Sequence, residues 1–244
     1  IVTPSVKIIP ADVPAERIFK TEWGADTERF QPRSAAAAGA SPVAALRRTP
    51  SDTVAIFVGA FRAWHGAIHL VDAIRRLQAR GRTDVRALFV GEGPELSRVR
   101  SAAAGLSGVA FTGAVAHDAM PPLLASADVG VAPFEVSGHR SLAHEFYWSP
   151  LKIFEYMATG LPVVAPRLQR ITEIVEDGRE GLLYDSSNPD ALTNALERLT
   201  DAALRSRLGS AARRRAVDEF SWQSHCARLD AALRAALQRS ACGS

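Results

Sequence analysis

Thr53-Val-Ala-Ile-Phe-Val-Gly59 and Val85-Arg-Ala-Leu-Phe-Val-Gly91 are two short, mainly apolar runs, each closed by a glycine. Between them, residues 66–80 carry Ile68, Val71, Ile74 and Leu77 at helical spacing. A strand, a helix and a second strand of the same kind make a βαβ unit, whose crossover is right-handed. The alternation continues outward. Residues 94–103 read as a helix, 109–112 as a strand, 120–127 as a helix with prolines in its first turn, and 129–133 as a strand. Residues 149–160 read as a helix with Ser149 as N-cap, Pro150 at N1 and Gly160 at its end. Strands at 162–165 and 182–184 follow, then helices at 189–200, 202–217 and 222–238. Strands without polar alternation are buried on both faces, so the expected fold is α/β: a parallel, Rossmann-like sheet with helices on both faces, plus C-terminal helices.

Upstream the pattern weakens. Residues 1–32 read as a short strand, a turn at Asp12-Val-Pro14 and a second strand over 17–23. Residues 33–51 are rich in Ala, Ser, Pro and Arg and read as a linker with one short helix near 42–48. Ile1-Val-Thr-Pro4 reads as a strand already under way, so a longer parent chain is expected. The 244 residues are 47% hydrophobic and 23% charged, values for a globular chain with a full core. The formal net charge is only +3, and the cations are scattered without interleaved aromatics, so nucleic acid is not an expected partner. Arg213-Arg-Arg215 is the exception; it reads as a solvated helix face, with peripheral contact to an anionic membrane as the alternative. Two cysteines, Cys226 and Cys242, make no disulfide framework, and no apolar run has the length of a membrane span. A cytoplasmic setting, at most peripheral to the membrane's inner face, is the expectation.

In an open parallel sheet, ligands bind beyond the carboxyl ends of the strands. Here those ends are Gly59, Gly91, Gly113, Pro133 and Ala165. A dinucleotide fingerprint fails, because Gly91-Glu-Gly93 is followed by Leu96 where a third glycine belongs. No P-loop and no GxSxG elbow occurs. His65 and His69 have the i,i+4 spacing of metal ligands, but no third ligand stands at a persuasive distance in sequence, so no metal is expected. The residue that stands out is Lys152. The chain has 29 Lys+Arg, yet only Lys7, Lys20 and Lys152 are lysine. Lys152 lies in Ser149-Pro-Leu-Lys-Ile-Phe-Glu-Tyr-Met-Ala158, in the first turn of a predicted helix. A cation there opposes the helix dipole at a cost of ~0.3–1 kcal/mol unless an anion is near. An anion held at that helix start is the reading that accounts for it.

This stretch and several others, in order, resemble the C-terminal half of a GT-B glycosyltransferase of family 4. Thr21-Glu-Trp-Gly-Ala-Asp-Thr-Glu-Arg-Phe-Gln-Pro32 is similar to the family's interdomain crossing. Val58-Gly-Ala-Phe-Arg-Ala-Trp-His-Gly66 is similar to its first phosphate-side loop, and Leu88-Phe-Val-Gly-Glu-Gly-Pro94 to its second strand and turn. Val109-Ala-Phe-Thr-Gly-Ala-Val115 resembles the base-binding loop, the Lys152 stretch the donor-site helix, and Phe220-Ser-Trp222 the start of the returning helix. Together they cover nearly all of residues 15–238. The resemblance implies the tail of an N-terminal acceptor domain and the crossing over 1–32, a linker over 33–51, a nucleotide-sugar donor domain over 52–220, and a helix over 221–244 returning toward a missing N-terminal domain. It implies a retaining, metal-independent glycosyltransferase of glycan biosynthesis, a hexosyltransferase type, with a UDP-, GDP- or ADP-sugar donor. The fragment alone is expected to be inactive. The alternative is a degenerate, non-catalytic nucleotide-sugar-binding or assembly module.

The roles carried over are these. Lys152 meets the leaving diphosphate and Glu155 holds the ribose hydroxyls. Arg62 stands as a third catalytic candidate, beside the bland reading of a surface arginine. Gly59, His65, Gly91, Gly113 and Val115 on the loops, and Tyr147, Ser149, Pro150 and Leu151 before the helix, complete the donor-binding set. Three positions depart from the family. Its first glutamate falls on Tyr147, with Glu145 as a candidate stand-in, and its loop Arg and Lys fall on Ala60 and His65. His117 and Asp118 are as readily helix-start residues as ligands.

Overall fold

A computed structural model describes residues 1–5, 9–32, 41–136 and 149–242. Two strands of two residues, β1 (Val2–Thr3) and β2 (Phe19–Lys20), pair in parallel as a small separate sheet. The strand expected over 17–23 shrinks to β2, because a 3-10 turn at Ala15–Arg17 occupies its start. Helix α1 (Pro42–Leu46) begins at Ser41, whose hydroxyl accepts the Ala44 N–H at 3.1 Å.

The main body then alternates: β3 (Thr53–Val58), α2 (Ala67–Ala79), β4 (Val85–Val90), α3 (Leu96–Ala102), β5 (Val109–Gly113), α4 (Met120–Ser126), β6 (Val129–Val131). After it come α5 (Leu151–Ala158), β7 (Val163–Pro166), α6 (Gln169–Thr172), β8 (Gly181–Tyr184), α7 (Ala191–Arg198), α8 (Ala202–Asp218) and α9 (Trp222–Cys242). The strand order is β5-β4-β3-β6-β7-β8, every pair parallel. The order reverses between β3 and β6, and a crevice opens at such a switch point.

Alternate residues of the strands feed two cores. Val54 and Ile56 join Ile153, Phe154, Tyr156 and Met157 of α5 on one face. Ala55 and Phe57 join Leu70, Val71, Ile74 and Leu77 of α2 on the other. The stripe of α2 therefore differs from its expected form. Ile68 is half-exposed, because it lies off the face that Leu70, Ile74 and Leu77 centre. Both helices stop in the same way. Arg82 N–H reaches Leu77 O and Gly81 N–H reaches Gln78 O after α2; Leu161 N–H reaches Tyr156 O and Gly160 N–H reaches Met157 O after α5. The glycines take φ of 79° and 74°, the left-handed turn such ends require.

Helix α5 is seated on the switch point through Tyr156. Gly130 on β6 leaves room for its ring, since a Cβ there would fall 2.4 Å from it. The β3–β6 pairing spans only Ala55–Val129 and Ile56–Gly130. Beyond it the Tyr156 hydroxyl accepts the Val58 N–H at 2.9 Å and donates to Val131 O at 3.5 Å. Tyr156→Phe leaves that N–H buried without a partner. It is expected to cost about 1–3 kcal/mol, seen as a lower urea midpoint at unchanged slope; an unchanged midpoint would refute this role.

The C-terminal helices strap the segment that leads into the body. Ala25 and Ser221 form a bridge. Arg213 donates to Phe30 O at 2.7 Å, Ala158 O at 2.6 Å and Thr27 O at 3.0 Å. Arg215 reaches Glu180 at 3.3 Å and Glu173 O at 3.1 Å. The solvated arginine face is thus corrected: of the three, only Arg214 is exposed, because its neighbours satisfy buried carbonyls and a buried glutamate. Among the described residues, no helix is long and apolar enough to cross a membrane.

Candidate functional site

The carboxyl ends of β3, β4 and β5 are laced together by backbone. Gly59 N–H donates to Val90 O at 3.0 Å, Gly91 N–H to Gly113 O at 2.8 Å, and Glu95 N–H to Phe61 O at 2.9 Å. Gly91 and Gly93 have φ of 120° and 150°. A Cβ on them would lie 2.0 Å from Gly59 O and 1.7 Å from Ala60 O. The Gly-x-Gly thus serves close packing of the first loop; that packing is what the structure shows for Gly91. Phe61, a non-glycine at φ 40°, is fully buried between Phe57 and Phe89, with ring centroids 5.2 and 6.4 Å away. Such a turn costs about 1–3 kcal/mol and is held by that aromatic packing. The next residue, Arg62, is exposed.

Lys152 projects from the start of α5 toward this loop. A Cβ on Gly59 would come within 2.9 Å of its Nζ. The residue as a whole is half-buried, but Nζ is sealed from solvent and has no hydrogen-bond partner among the described residues. Among the described residues it faces two π-systems: Nζ lies 4.6 Å from the Phe57 ring centre and 5.1 Å from that of Phe134. Burial pushes its pKa down to about 7, with the Glu155 charge opposing the fall. Glu155, one turn on, is pushed up to about 7 by burial, with Lys152 opposing. No ion pair joins the two, so a simple i,i+3 salt bridge does not account for the lysine.

His65 is the third member. It is 8% exposed, and its Nδ1 also lacks a partner among the described residues. Burial pushes its pKa to about 3, helped by the charges of Lys152 and Arg62, so the ring is neutral. Trp64 packs on it at 4.0 Å between ring centroids and stacks on Phe134 at 6.2 Å. A cavity of about 360 Å³ lies here, lined by Trp64, His65, Phe134 and the 149–152 turn.

The other expected residues fall as follows. Ser149 is not the N-cap of α5: Pro150 holds that position, and Ser149 Oγ accepts from Trp23 N–H at 3.4 Å instead. The helix proper begins at Leu151 rather than at Pro150, whose φ/ψ of −82°/77° is not helical. Gly113 turns at φ 72°, beside Glu92, whose carboxylate accepts the Ala114 N–H at 3.4 Å; Val115 packs half-buried on the core. Asp118 pairs with Arg29 at 2.6 Å. His69 pairs with Glu135 at 3.2 Å rather than joining His65. Tyr147, Glu145, His139, Arg140 and His144 lie outside the described residues. The structure brings together Gly59, His65, Lys152 and, one turn away, Glu155. Phe57 and Phe134 escaped sequence reading: one is an ordinary apolar strand residue, the other follows a strand, and no motif marks either.

Comparison with known proteins gives a consistent result. A family model described as glycosyl transferases group 1 matches residues 52–202. The chain is 31% identical over 233 residues to an MMP alpha-(1->4)-mannosyltransferase of Mycolicibacterium hassiacum, covering 94% of this chain and 51% of the relative. It is 31% identical over 221 residues to a GDP-mannose-dependent alpha-(1-6)-phosphatidylinositol dimannoside mannosyltransferase of Mycobacterium tuberculosis, covering 90% and 53%. Among solved structures it superposes on sucrose-phosphate synthase from Thermosynechococcus elongatus with TM-score 0.69 at 24% identity, over 91% of this chain and 53% of that one. It superposes on Anabaena HepE in complex with UDP and glucose with TM-score 0.68 at 22% identity, over 89% and 56%. The chain spans about half the length of the curated relatives it matches.

Proposed function

Since this chain belongs to the group 1 glycosyl transferases, as the C-terminal half of a GT-B fold, we propose that it binds the nucleotide-sugar donor of a retaining, metal-independent glycosyltransferase. The observation that carries this is the buried ammonium of Lys152 at the switch point, without a hydrogen-bond partner among the described residues. Breaking a glycosyl–phosphate bond develops negative charge on the departing diphosphate. A fixed cation in a dry site stabilises that charge far more than it would in water. Lys152 supplies the charge, and Arg62, exposed on the adjoining loop, serves as a second cation for the outer phosphate in this reading. Glu155 takes the ribose hydroxyls as an acceptor. The relatives named GDP-mannose-dependent make GDP-mannose the first donor to try, ahead of UDP- and ADP-sugars. The sugar is passed to an acceptor held by the rest of the parent protein, with this chain fixing the leaving group.

The test is calorimetry on this chain with GDP, UDP and ADP in the presence of a chelator. At least one is expected to bind at or below millimolar concentration; silence from all three sinks the proposal. The ribose role predicts a sharper result. A 2′-deoxynucleoside diphosphate should bind about 10–100-fold more weakly than its ribose form, the worth of a hydrogen bond to a charged group. Glu155→Gln should erase most of that difference. If the variant discriminates as well as the wild type, the ribose is held elsewhere.

A further inference from the structure

The turn that follows β6 is laid across the start of α2. Gly66 caps that helix at φ 65°, and a Cβ on it would lie 1.8 Å from Pro133 O. Glu135 N–H donates to Trp64 O at 3.0 Å. The Glu135 carboxylate reaches His69 Nε2, in the first turn of α2, at 3.2 Å. There it also meets the positive end of the helix dipole. Phe134 stands between these anchors, 3% exposed, with its ring stacked on Trp64 and 5.1 Å from Lys152 Nζ. It is a wall shared by two cavities. One is the cavity of about 360 Å³ at Lys152. The other, of about 110 Å³, is lined by His69, Asp72, Arg76, Glu135 and Tyr184 with the 186–189 turn.

We propose that His69 is a positioning residue for the donor site: through Glu135 it fixes Phe134 as the wall that keeps water from the Lys152 ammonium. The proposal rests on the donor-binding reading above and adds to it a residue on the far side of that wall. The physical need is specific. A cation stabilises a departing phosphate most where water is excluded. An aromatic ring shields a cation without neutralising it, which a carboxylate in the same place would do. Nζ is sealed from solvent, and Phe134 is one of the two rings against it. A ring carried on a short turn keeps that place only while the turn is held. Backbone holds it at Pro133 and Trp64. His69 holds it by a side chain, from a helix locked into the core through Leu70 and Ile74. The smaller cavity is the space into which the turn relaxes when that hold is removed.

The test reads the lysine itself. The chain has three lysines, so a sample labelled with 13C-lysine gives three ε-CH2 signals, and Lys152→Met identifies the one in question. Ring currents from Phe57 and Phe134 are expected to place it upfield of the other two. His69→Ala and Phe134→Leu should each move it downfield toward them, and the double variant should move it no further than Phe134→Leu alone. Inorganic pyrophosphate, titrated by calorimetry at pH 6 where Lys152 is charged, is expected to bind ~3–10-fold more weakly to each single variant, the scale of residues coupled by contact. The double variant should bind no more weakly than Phe134→Leu. A mere loss of imidazole charge would persist in the Phe134→Leu background and leave the lysine signal in place. A lysine signal unmoved by His69→Ala, or losses that add up in the double variant, would overturn the proposal. Failure of the wild type to bind pyrophosphate or any nucleoside diphosphate, with the lysine signal still responding to His69→Ala, would instead overturn the donor-binding reading beneath it.

Discussion

Lys152→Ala is expected to weaken nucleoside diphosphate binding by about 10–100-fold while leaving the unphosphorylated nucleoside's affinity within about twofold, on the scale of one hydrogen bond to a charged group. The two halves of that result separate function from structure. A lysine that merely shaped the helix start would affect both ligands alike, and equal losses would refute the assignment. Stability should move the other way. An ammonium buried against Phe57 and Phe134 with no hydrogen-bond partner among the described residues costs the folded state, so Lys152→Met is expected to stabilise the protein by about 1–3 kcal/mol. The pH dependence follows from its lowered pKa. Between about 7 and the ordinary lysine value of 10.5, the unfolded lysine holds a proton that the folded one has released. Folding stability therefore rises with pH across that window, and Lys152→Met should remove that rise. Ligand binding has the opposite slope. A bound diphosphate raises the lysine pKa, so binding takes up a proton, and affinity falls as pH climbs above about 7.

Gly93→Ala is expected to be the most damaging small substitution. Its Cβ would meet Ala60 O at 1.7 Å, with φ at 150°. Backbone strain and overpacking each cost about 1–3 kcal/mol, so roughly 2–6 kcal/mol in all. For a chain of this length that lowers the melting temperature by roughly 5–20 °C. Gly81→Ala is the matched control. It also has a positive φ, of 79°, but nothing lies within 4 Å of its Cβ, so only the conformational cost of about 1 kcal/mol applies. If the two variants melt together, the packing of the first loop against the second is not what Gly93 provides.

The strands and helices of the body were legible because their signals are local. Apolar runs such as 53–58 and 85–90 are buried on both faces, and glycines such as Gly81 and Gly160 terminate helices through their own φ. Errors arose where a local signal had a tertiary competitor. Ser149 has the chemistry of an N-cap, but its hydroxyl is engaged by the Trp23 N–H. Arg213 and Arg215 look like surface charge, but fold inward onto carbonyls and Glu180. Lys152 and Glu155 were readable as candidates from type and spacing. That they are not an ion pair was not readable, because it depends on Phe57 and Phe134 drawing the ammonium away.

Sequence alone therefore determined the sheet, the carboxyl-end location of the candidate site and the identity of its candidate lysine, since period, glycine placement and residue type are properties of short stretches. Only the tertiary structure decided that Gly59, His65 and Lys152 share one point. The first two lie on one loop and the third on α5, nearly ninety residues on in the chain. Their meeting is set by how Tyr156 seats that helix across β3 and β6, and long-range packing of that kind leaves no mark in any one segment.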